Sequence, residues 1–265
     1  VLPIVSLLYL FFLVPYIMPG KISKKIKTLV NRSIEGEVNF FRARLSFFNH
    51  FPALTLTLHD FTMKGSAPFQ NDTLLSAGEI AFGIDIPALI GGNVTIDQFF
   101  LTRANINVQV NENGDANYNV YKSGGSADTS ASAADTTTAL KIEKIVIEKS
   151  NLVYDDRSSD ILINAHGLEY SGSGDLSKAI FDLSSQLEID SFDFYYDQQP
   201  YVLNKLIQAD LITSINTNSL ALTFKENDLH INKLPLEFTG RFEFLSKGYH
   251  MDFRFTSKDT DLDDV

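Results

Sequence analysis

Alternation of apolar and polar side chains is the dominant pattern of this chain from residue 36 onward. A period of two is typical of a β-strand with one face buried and the other in water. Turn-forming pairs such as Asn113-Gly114 separate the alternating runs, which predicts antiparallel hairpins and meanders in a mainly β protein. The apolar members of the four clearest runs are Leu54, Leu56, Leu58, Ile106, Val108, Val110, Leu220, Leu222, Phe224, Met251, Phe253 and Phe255.

Three segments interrupt this pattern. Residues 122–139 consist almost entirely of Gly, Ser, Ala, Thr and Asp, which cannot bury apolar area. We therefore predict a flexible loop there, inserted between strands, because the strand pattern resumes at Ile142. Residues 200–212 and 84–90 each contain a proline and are candidates for a short helix, a helical turn or a crossing loop.

The apolar face of such strands needs a cover, and the body of the chain has almost no amphipathic helix to supply one. Three arrangements satisfy this requirement. A second sheet can pack on the first, or the sheet can curl around a filled interior. Alternatively, an open, curved sheet can present its apolar face as a trough for lipid chains. Periodicity does not choose among the three.

The N-terminal segment has a different character. Residues 1–20 carry no charged side chain, and a helix of about 20 residues rises about 30 Å, the thickness of bilayer hydrocarbon. Pro19-Gly20 followed by lysines does not form a signal-peptidase site, which favours a retained transmembrane anchor. Residues 21–35 repeat apolar side chains at helical spacing and predict an amphipathic helix that lies on the membrane or packs on the sheet. Its cations, which face anionic headgroups in this interpretation, are Lys21, Lys24, Lys25, Lys27 and Arg32.

The net charge of −11 is distributed unevenly. Residues 1–34 hold five cations and no acid, whereas residues 35–265 hold 17 cations against 33 acids. An acidic body argues against nucleic-acid binding, because phosphate recognition depends on clustered lysine and arginine. The cations that follow the anchor would place the body in the cytoplasm by a simple positive-inside count. Lysine or arginine residues preceding Val1 would change that count, so the sequence leaves the orientation open.

Candidate catalytic and metal-binding groups are sparse. The five histidines, His50, His59, His166, His230 and His250, have no partner at a metal-ligand spacing. The acidic segment 259–264 lacks the glycine and the distal glutamate of a calcium loop. The sequence contains no nucleophile elbow, no phosphate-binding loop and no cysteine. We therefore expect no enzymatic activity, no metal and no cofactor.

Residues 36–121 resemble the N-terminal region of AsmA-like proteins. The resemblance rests on the order of several short motifs. Phe51-Pro52-Ala53-Leu54 leads into an alternating strand, a turn follows at 87–92, and a strand pair closes with Asn113-Gly114-Asp115-Ala116-Asn117-Tyr118. Tyr118 stands where the family commonly has tryptophan, a change that keeps an aromatic anchor.

The resemblance implies a domain organisation and a location. A transmembrane anchor at 1–20 and an amphipathic helix at 21–35 would precede an AsmA-like sheet domain at 36–265, the whole being part of a longer chain. The anchor would lie in a bacterial inner membrane, with the body in the periplasm and a role in outer-membrane biogenesis. The family is also similar to chorein-type bridge proteins, whose β-grooves carry phospholipid, and this similarity implies a curved, taco-like antiparallel sheet.

Our leading hypothesis is passive handling or transport of phospholipid, with the twelve apolar residues named above lining the groove. Acyl chains gain about 0.8 kcal/mol per buried methylene, so contact with part of one chain already gives useful affinity. The rival hypothesis is a membrane-tethered scaffold or accessory subunit that binds other envelope proteins through strand edges. A lipid conduit needs a continuous apolar surface, whereas a scaffold needs only a closed core and a partner surface.

Overall fold

The computed structural model of the protein describes residues 37–46, 54–85, 94–120, 138–219, 221–245 and 249–257. Strands account for the regular secondary structure in these ranges, which confirms the prediction of a mainly β protein. The strands are β1 Val38–Asn39, β2 Arg42–Ser46, β3 Leu54–Lys64, β4 Thr73–Ile84, β5 Val94–Val110, β6 Thr138–Asp156, β7 Ile161–Ser173, β8 Ile180–Tyr196, β9 Gln199–Asn216, β10 Ala221–Ile231, β11 Leu234–Phe244 and β12 Tyr249–Thr256.

All twelve strands belong to one sheet, in which each strand from β3 to β12 pairs with the next strand in sequence. The strands β1 and β2 both pair with β3 and together form one edge, while β12 forms the other. Because the described strands share one sheet, the face-to-face sandwich is excluded for this part of the chain. The cover of the apolar face must come from curvature, from other segments or from a ligand.

The pairing of β5 with β6 is parallel, with Val94 opposite Thr138 and Val110 opposite Asp156. The prediction of an antiparallel sheet is wrong at this pair and holds for the other described pairs. Parallel neighbours begin at the same end of the sheet, so the chain between them must travel back along the strands. The chain therefore has to connect the end of β5 at Val110 with the start of β6 at the opposite end of the sheet. The predicted loop at 122–139 overlaps β6 at Thr138 and Ala139, and its first part lies outside the described residues.

Residues 200–212, predicted as a helix or a crossing loop, are instead part of strand β9. Pro200 misled the prediction, since proline lacks the N–H that a central strand position requires. At this position the requirement is absent, because β10 pairs with β9 only as far as Ile207. Pro200 therefore lies on a locally exposed edge. The second candidate, at 84–90, begins with the last residue of β4, and residues 86–90 lie outside the described residues.

A line of left-handed residues crosses the sheet from β3 to β9. Asp60, Arg103, Lys149, Gly167 and Asn204 have φ of 51°, 52°, 50°, 66° and 50° in successive or near-successive strands. A residue in this conformation forms a β-bulge, which inserts one extra residue into the strand and reverses the alternation of side chains beyond it. We call this feature the bulge line.

The effect of the bulge line is visible in the core. Leu58 and Phe61 are three residues apart, a spacing that places side chains on opposite faces of a regular strand, yet both belong to one buried cluster. The pairs Leu101/Ala104 and Ala165/Leu168 repeat this arrangement on β5 and β7. In β3, β5 and β7 the bulge line thus keeps the apolar side chains before and after it on a single face.

Side chains of adjacent strands satisfy the backbone N–H groups that the bulge line displaces. Ser150 Oγ accepts from Ala104 N at 3.0 Å, and Glu169 Oε1 accepts from Lys149 N at 2.9 Å. Asn151 Oδ1 accepts from Gly167 N at 3.2 Å. Further along the sheet, Asp193 Oδ1 accepts from Asn204 N at 2.7 Å and Asn232 Oδ1 from Leu206 N at 2.9 Å. These bonds replace backbone hydrogen bonds between strands that the irregular register removes. The bulge line therefore leaves few backbone polar groups unpaired.

Candidate functional site

One face of the sheet, here called the apolar face, carries an unbroken cross-strand row of hydrophobic side chains. Each member of the row is the register partner of the next, from β3 to β11. The row consists of Leu58, Ile80, Leu101, Ile147, Tyr170, Leu187, Ala209, Leu229 and Leu236. With strands about 4.8 Å apart, nine strands span about 38 Å, more than the thickness of bilayer hydrocarbon. Two buried clusters lie on this face, and Ile147 packs against both.

The predicted lipid-contact residues lie on this same face wherever the structure describes them. Leu54, Leu56 and Leu58 supply its β3 part, and Ile106 packs against the same cluster as Leu58. The register joins Leu222 to Phe242 and Met251, and it joins Phe224 to Gly240 and Phe253. The remaining predicted residues on this face are Val108, Val110 and Phe255, and Leu220 lies outside the described residues. The sequence pattern therefore placed distant strands on a common surface, although contact with lipid itself stays a prediction.

Exposure changes along the apolar face. Leu54, Leu58 and Val110 on the first strands are buried, whereas Met251 and Phe255 on the last strand are 59% and 58% exposed. The reason is the open order of the sheet, in which β12 has a neighbour on one side only. The face is thus closed over β3–β5 and open to its surroundings near β12.

Four phenylalanines cluster where the apolar face opens. The ring centroids of Phe224 and Phe238 are 5.2 Å apart, and those of Phe238 and Phe255 are 5.7 Å apart in a stacked arrangement. Phe253 contacts Phe224 at 5.7 Å and Phe255 at 6.1 Å. Such offset and tilted pairs stabilise one another beyond their buried area. The cluster is therefore a preformed apolar platform at the accessible edge of the sheet.

The opposite face is polar over most of its area. Glu169, Glu188 and Gln208 follow one another across β7–β9, and Lys225 Nζ binds Asp182 Oδ1 at 2.7 Å. Hydrogen bonds from Lys225 and Ser214 lower the pKa of the Asp182 carboxyl. Two open depressions of ≈ 860 and ≈ 570 Å³ are lined by polar-face residues such as Asp210 and Glu188 together with members of the apolar row, among them Leu187. Over β3 the polar face is buried as well, since Thr55 and Thr57 are fully covered.

The family model of the AsmA family matches residues 1–238 of the chain, most of its length. The chain belongs to the AsmA family. A search of curated proteins found no match. Membership of the AsmA family suggests a role in the cell envelope and in outer-membrane biogenesis. The resemblance inferred from residues 36–121 is confirmed, and the match extends beyond that segment to residue 1 on one side and residue 238 on the other.

The predicted anchor of this AsmA-family chain, residues 1–20, and the predicted amphipathic helix, residues 21–35, lie outside the described residues. The same holds for the candidate membrane-surface cations Lys21, Lys24, Lys25, Lys27 and Arg32. Within the described ranges, no helix is long and apolar enough to cross a membrane. The first described strand begins at Val38, three residues after the predicted helix ends.

The AsmA-like motif at 113–118 has a structural centre that sequence reasoning assigned to the wrong residue. Tyr118, predicted as an aromatic anchor, is 46% exposed, whereas the neighbouring Asn117 is completely buried. Asn117 Nδ2 donates to Asn107 O at 2.7 Å, and Asn117 Oδ1 accepts from Gln109 N at 3.0 Å. Its backbone carbonyl accepts from Ser66 N at 2.8 Å. Asn117 thereby joins the end of β5 to the turn between β3 and β4, and an Asn two residues after Asn-Gly-Asp was the available signal.

The described residues contain no group of three or more His, Asp or Glu side chains placed to hold a metal ion. His166 and His250 are exposed, and His230 Nδ1 lies 3.7 Å from Asp228 Oδ1. His50 lies outside the described residues. His59 is the histidine with a distinctive environment, on the covered part of the polar face. Its Nδ1 lies 3.7 Å from Glu79 Oε1, and Arg103 Nη2 approaches the same carboxyl oxygen at 3.4 Å.

Acidification should destabilise the protein through His59. Burial lowers the pKa of this imidazole below 6.5, and Glu79 opposes the shift only in part. At a pH above the pKa of the unfolded chain, the His59 imidazole is neutral in both the folded and the unfolded state, and its buried, neutral form contributes fully to stability. As the pH falls below about 6.5, the unfolded chain binds the proton first, so that contribution is lost progressively through the lower folded pKa. Urea unfolding between about pH 7.5 and pH 5 should show a smaller loss of stability for His59→Gln than for the wild type. The exposed His166→Gln variant is the control. If His59→Gln lost as much stability between about pH 7.5 and pH 5 as the wild type, His59 would not be the cause of the acid destabilisation.

Proposed function

We propose that this AsmA-family protein is a membrane-anchored, non-enzymatic envelope protein whose apolar face binds phospholipid acyl chains and passes them along the sheet. The observation that carries the proposal is the row from Leu58 to Leu236. It is continuous over nine strands, and no charged side chain interrupts it. Each methylene in contact with such a surface gains about 0.8 kcal/mol.

The change in exposure along the apolar face supports an accessible surface in preference to a wholly closed core. Met251 and Phe255 are more than half exposed beside an ordered cluster of phenylalanines, so the apolar face can be reached from outside at its β12 edge. Large apolar patches on soluble proteins commonly mark a surface for ligand, lipid or protein. Lipid is favoured here because the patch continues into a row longer than the hydrocarbon of a bilayer.

The remaining parts of the proposal concern location and partners. Residues 1–20 would anchor the chain in the bacterial inner membrane, with the cations of 21–35 against anionic headgroups and the sheet in the periplasm. Phospholipid is the proposed partner, and neither a cofactor nor nucleic acid is required. The family's likeness to chorein-type bridge proteins is compatible with this arrangement.

Photo-crosslinking in cells tests the proposal directly. A photoreactive residue at Leu187, Leu222 or Phe253 should yield phospholipid adducts, because these side chains lie on the apolar face. Their sequence neighbours Glu188, Thr223 and Arg254 point to the polar face and are the matched controls. Thr57 is unsuitable as a control, since it is buried.

The outcomes of this experiment separate lipid handling from a scaffold. Lipid adducts at the three apolar positions and not at their neighbours would support a lipid-binding surface. Adducts to a protein partner, or crosslinks within the chain alone, would contradict it and favour the scaffold. Equal lipid capture at the apolar and control positions would also contradict it, because it would show only general proximity to the membrane.

A further inference from the structure

The β8–β9 hairpin extends beyond its neighbour at one end of the sheet. Asp197 and Gln198 form its two-residue turn with φ of 49° and 60°, as expected for a tight hairpin. On the far side of β9, pairing with β10 stops at Ile207, and Asn232 N of the next turn donates to Leu206 O. Residues 199–205 therefore project about 23 Å past the β10–β11 turn.

The projecting tip carries exposed aromatic and apolar side chains. Tyr201 is 64% exposed, and Tyr196 and Leu203 are about half exposed. The ring of Tyr201 lies 6.1 Å from that of Phe194 and 6.3 Å from that of Tyr196. Phe194 belongs to the row Val108, Tyr154, Ile163, Phe194 and Val202 on the apolar face. The apolar face thus continues along β8 and β9 into the tip, through Phe194 and Val202.

The tip lies at the end of the sheet from which the chain enters β1. A second cross-strand row fixes this relation, running through Val38, Met63, Leu75, Ile106, Leu152, Ala165 and Phe192. Tyr196 lies four residues past Phe192, towards the end at which Glu37 precedes Val38. The segment predicted to bind the membrane ends at residue 35, so it reaches the sheet at this end.

We propose that the tip of the β8–β9 hairpin rests in the headgroup layer of the bilayer that holds the anchor, and that lipid chains enter the apolar face across Tyr196 and Tyr201. This inference rests on the proposed function and identifies the mouth of the lipid-binding surface. Tyrosine suits this position, because its ring prefers the acyl boundary while its hydroxyl stays hydrated. The tip and β1 are separated by six strand spacings, about 29 Å, so a membrane surface along this end can contact both.

Tryptophan fluorescence offers a direct test, because the chain contains no tryptophan. The full chain with Tyr201→Trp is reconstituted in vesicles of phosphatidylethanolamine and phosphatidylglycerol, and quenching by lipids brominated near the carbonyl end of the chains is measured. Leu245→Trp and Ile180→Trp are the controls. Both positions are exposed and lie at the opposite end of the sheet, Ile180 being about 53 Å along β8 from Tyr196.

We expect the Tyr201→Trp variant to lose roughly half of its emission, because interfacial side chains lie within about 5–10 Å of the acyl boundary, and the two controls to lose almost none. Equal quenching at both ends, quenching only at the controls, or a chain that does not float with the vesicles would overturn the inference. Lipid crosslinking at Phe253 is measured in parallel. If that crosslinking persists while the tip is not quenched, the mouth is misplaced and the lipid-binding function stands. If both fail, the proposed function fails as well.

Discussion

Glutamate in place of Leu187 is expected to lower lipid capture at the neighbouring position Tyr170 about tenfold. Leu187 is the register partner of both Tyr170 and Ala209 in the middle of the apolar row. A carboxylate there displaces an acyl chain from its immediate surroundings. Losing contact with about two methylenes costs about 1.6 kcal/mol, which corresponds to a roughly tenfold loss of occupancy. Phospholipid adducts at a photoreactive residue in place of Tyr170 measure the effect.

The stability of the Leu187→Glu variant distinguishes an accessible face from a dry core. If lipid or water reaches Leu187, the carboxylate remains solvated in the unloaded protein and the free energy of unfolding changes little. In a closed core, an unpaired buried carboxylate costs more than about 3 kcal/mol. Urea unfolding of the purified chain reports the difference, and Glu188→Gln on the exposed polar face is the control. A large loss of stability in Leu187→Glu would contradict the lipid-binding interpretation.

Local pattern was sufficient to predict the strands and their shared face. Leu54, Leu222 and Phe253 are far apart in sequence, yet alternation assigned each of them to the apolar side of its own strand. A meander then brings the apolar sides together, because consecutive antiparallel strands retain the same face at each register pair. This reasoning needs no knowledge of long-range contacts.

The parallel pair and the bulge line required information that local pattern does not contain. Nothing in Lys122 or its neighbours indicates whether β6 returns beside β5 in the same or the opposite direction. The bulge line is equally hidden, since Arg103 and Lys149 are ordinary strand residues in composition and rarely adopt positive φ. Their conformation is stabilised by partners on other strands, such as Glu169 and Ser150.

The bulge line has a consequence for the proposed function. A strand of 17 to 19 residues, such as β5, β6 or β8, is long by the standards of globular proteins and gains twist with every residue. Bulges absorb part of that twist and bend the strands locally. Because the bulges lie side by side, the bend occurs at the same level in adjacent strands. The apolar side chains above and below it stay on one surface, which is the geometry that a continuous lipid path requires.

Removal of the Asn117 side chain should destabilise the protein by about 3 kcal/mol, since Asn117→Ala leaves the N–H of Gln109 and the carbonyl of Asn107 without their partner in a buried site. Each unsatisfied group costs about 1–3 kcal/mol. Asn117→Asp is a sharper probe, because it retains an acceptor for Gln109 but removes the donor to Asn107. We expect it to be destabilised as well, through a buried carboxylate that faces a carbonyl oxygen.

The control for this prediction is Tyr118→Ala, at the position that the family resemblance favoured as the anchor. Its side chain is 46% exposed, so truncation should cost less than about 1 kcal/mol. Urea unfolding of the three variants ranks the two positions. A greater loss in Tyr118→Ala than in Asn117→Ala would show that the aromatic ring, and not the buried amide, fastens β5 to the β3–β4 turn. With the expected ranking, the motif at 113–118 serves to end β5, after which the chain continues towards the parallel neighbour β6.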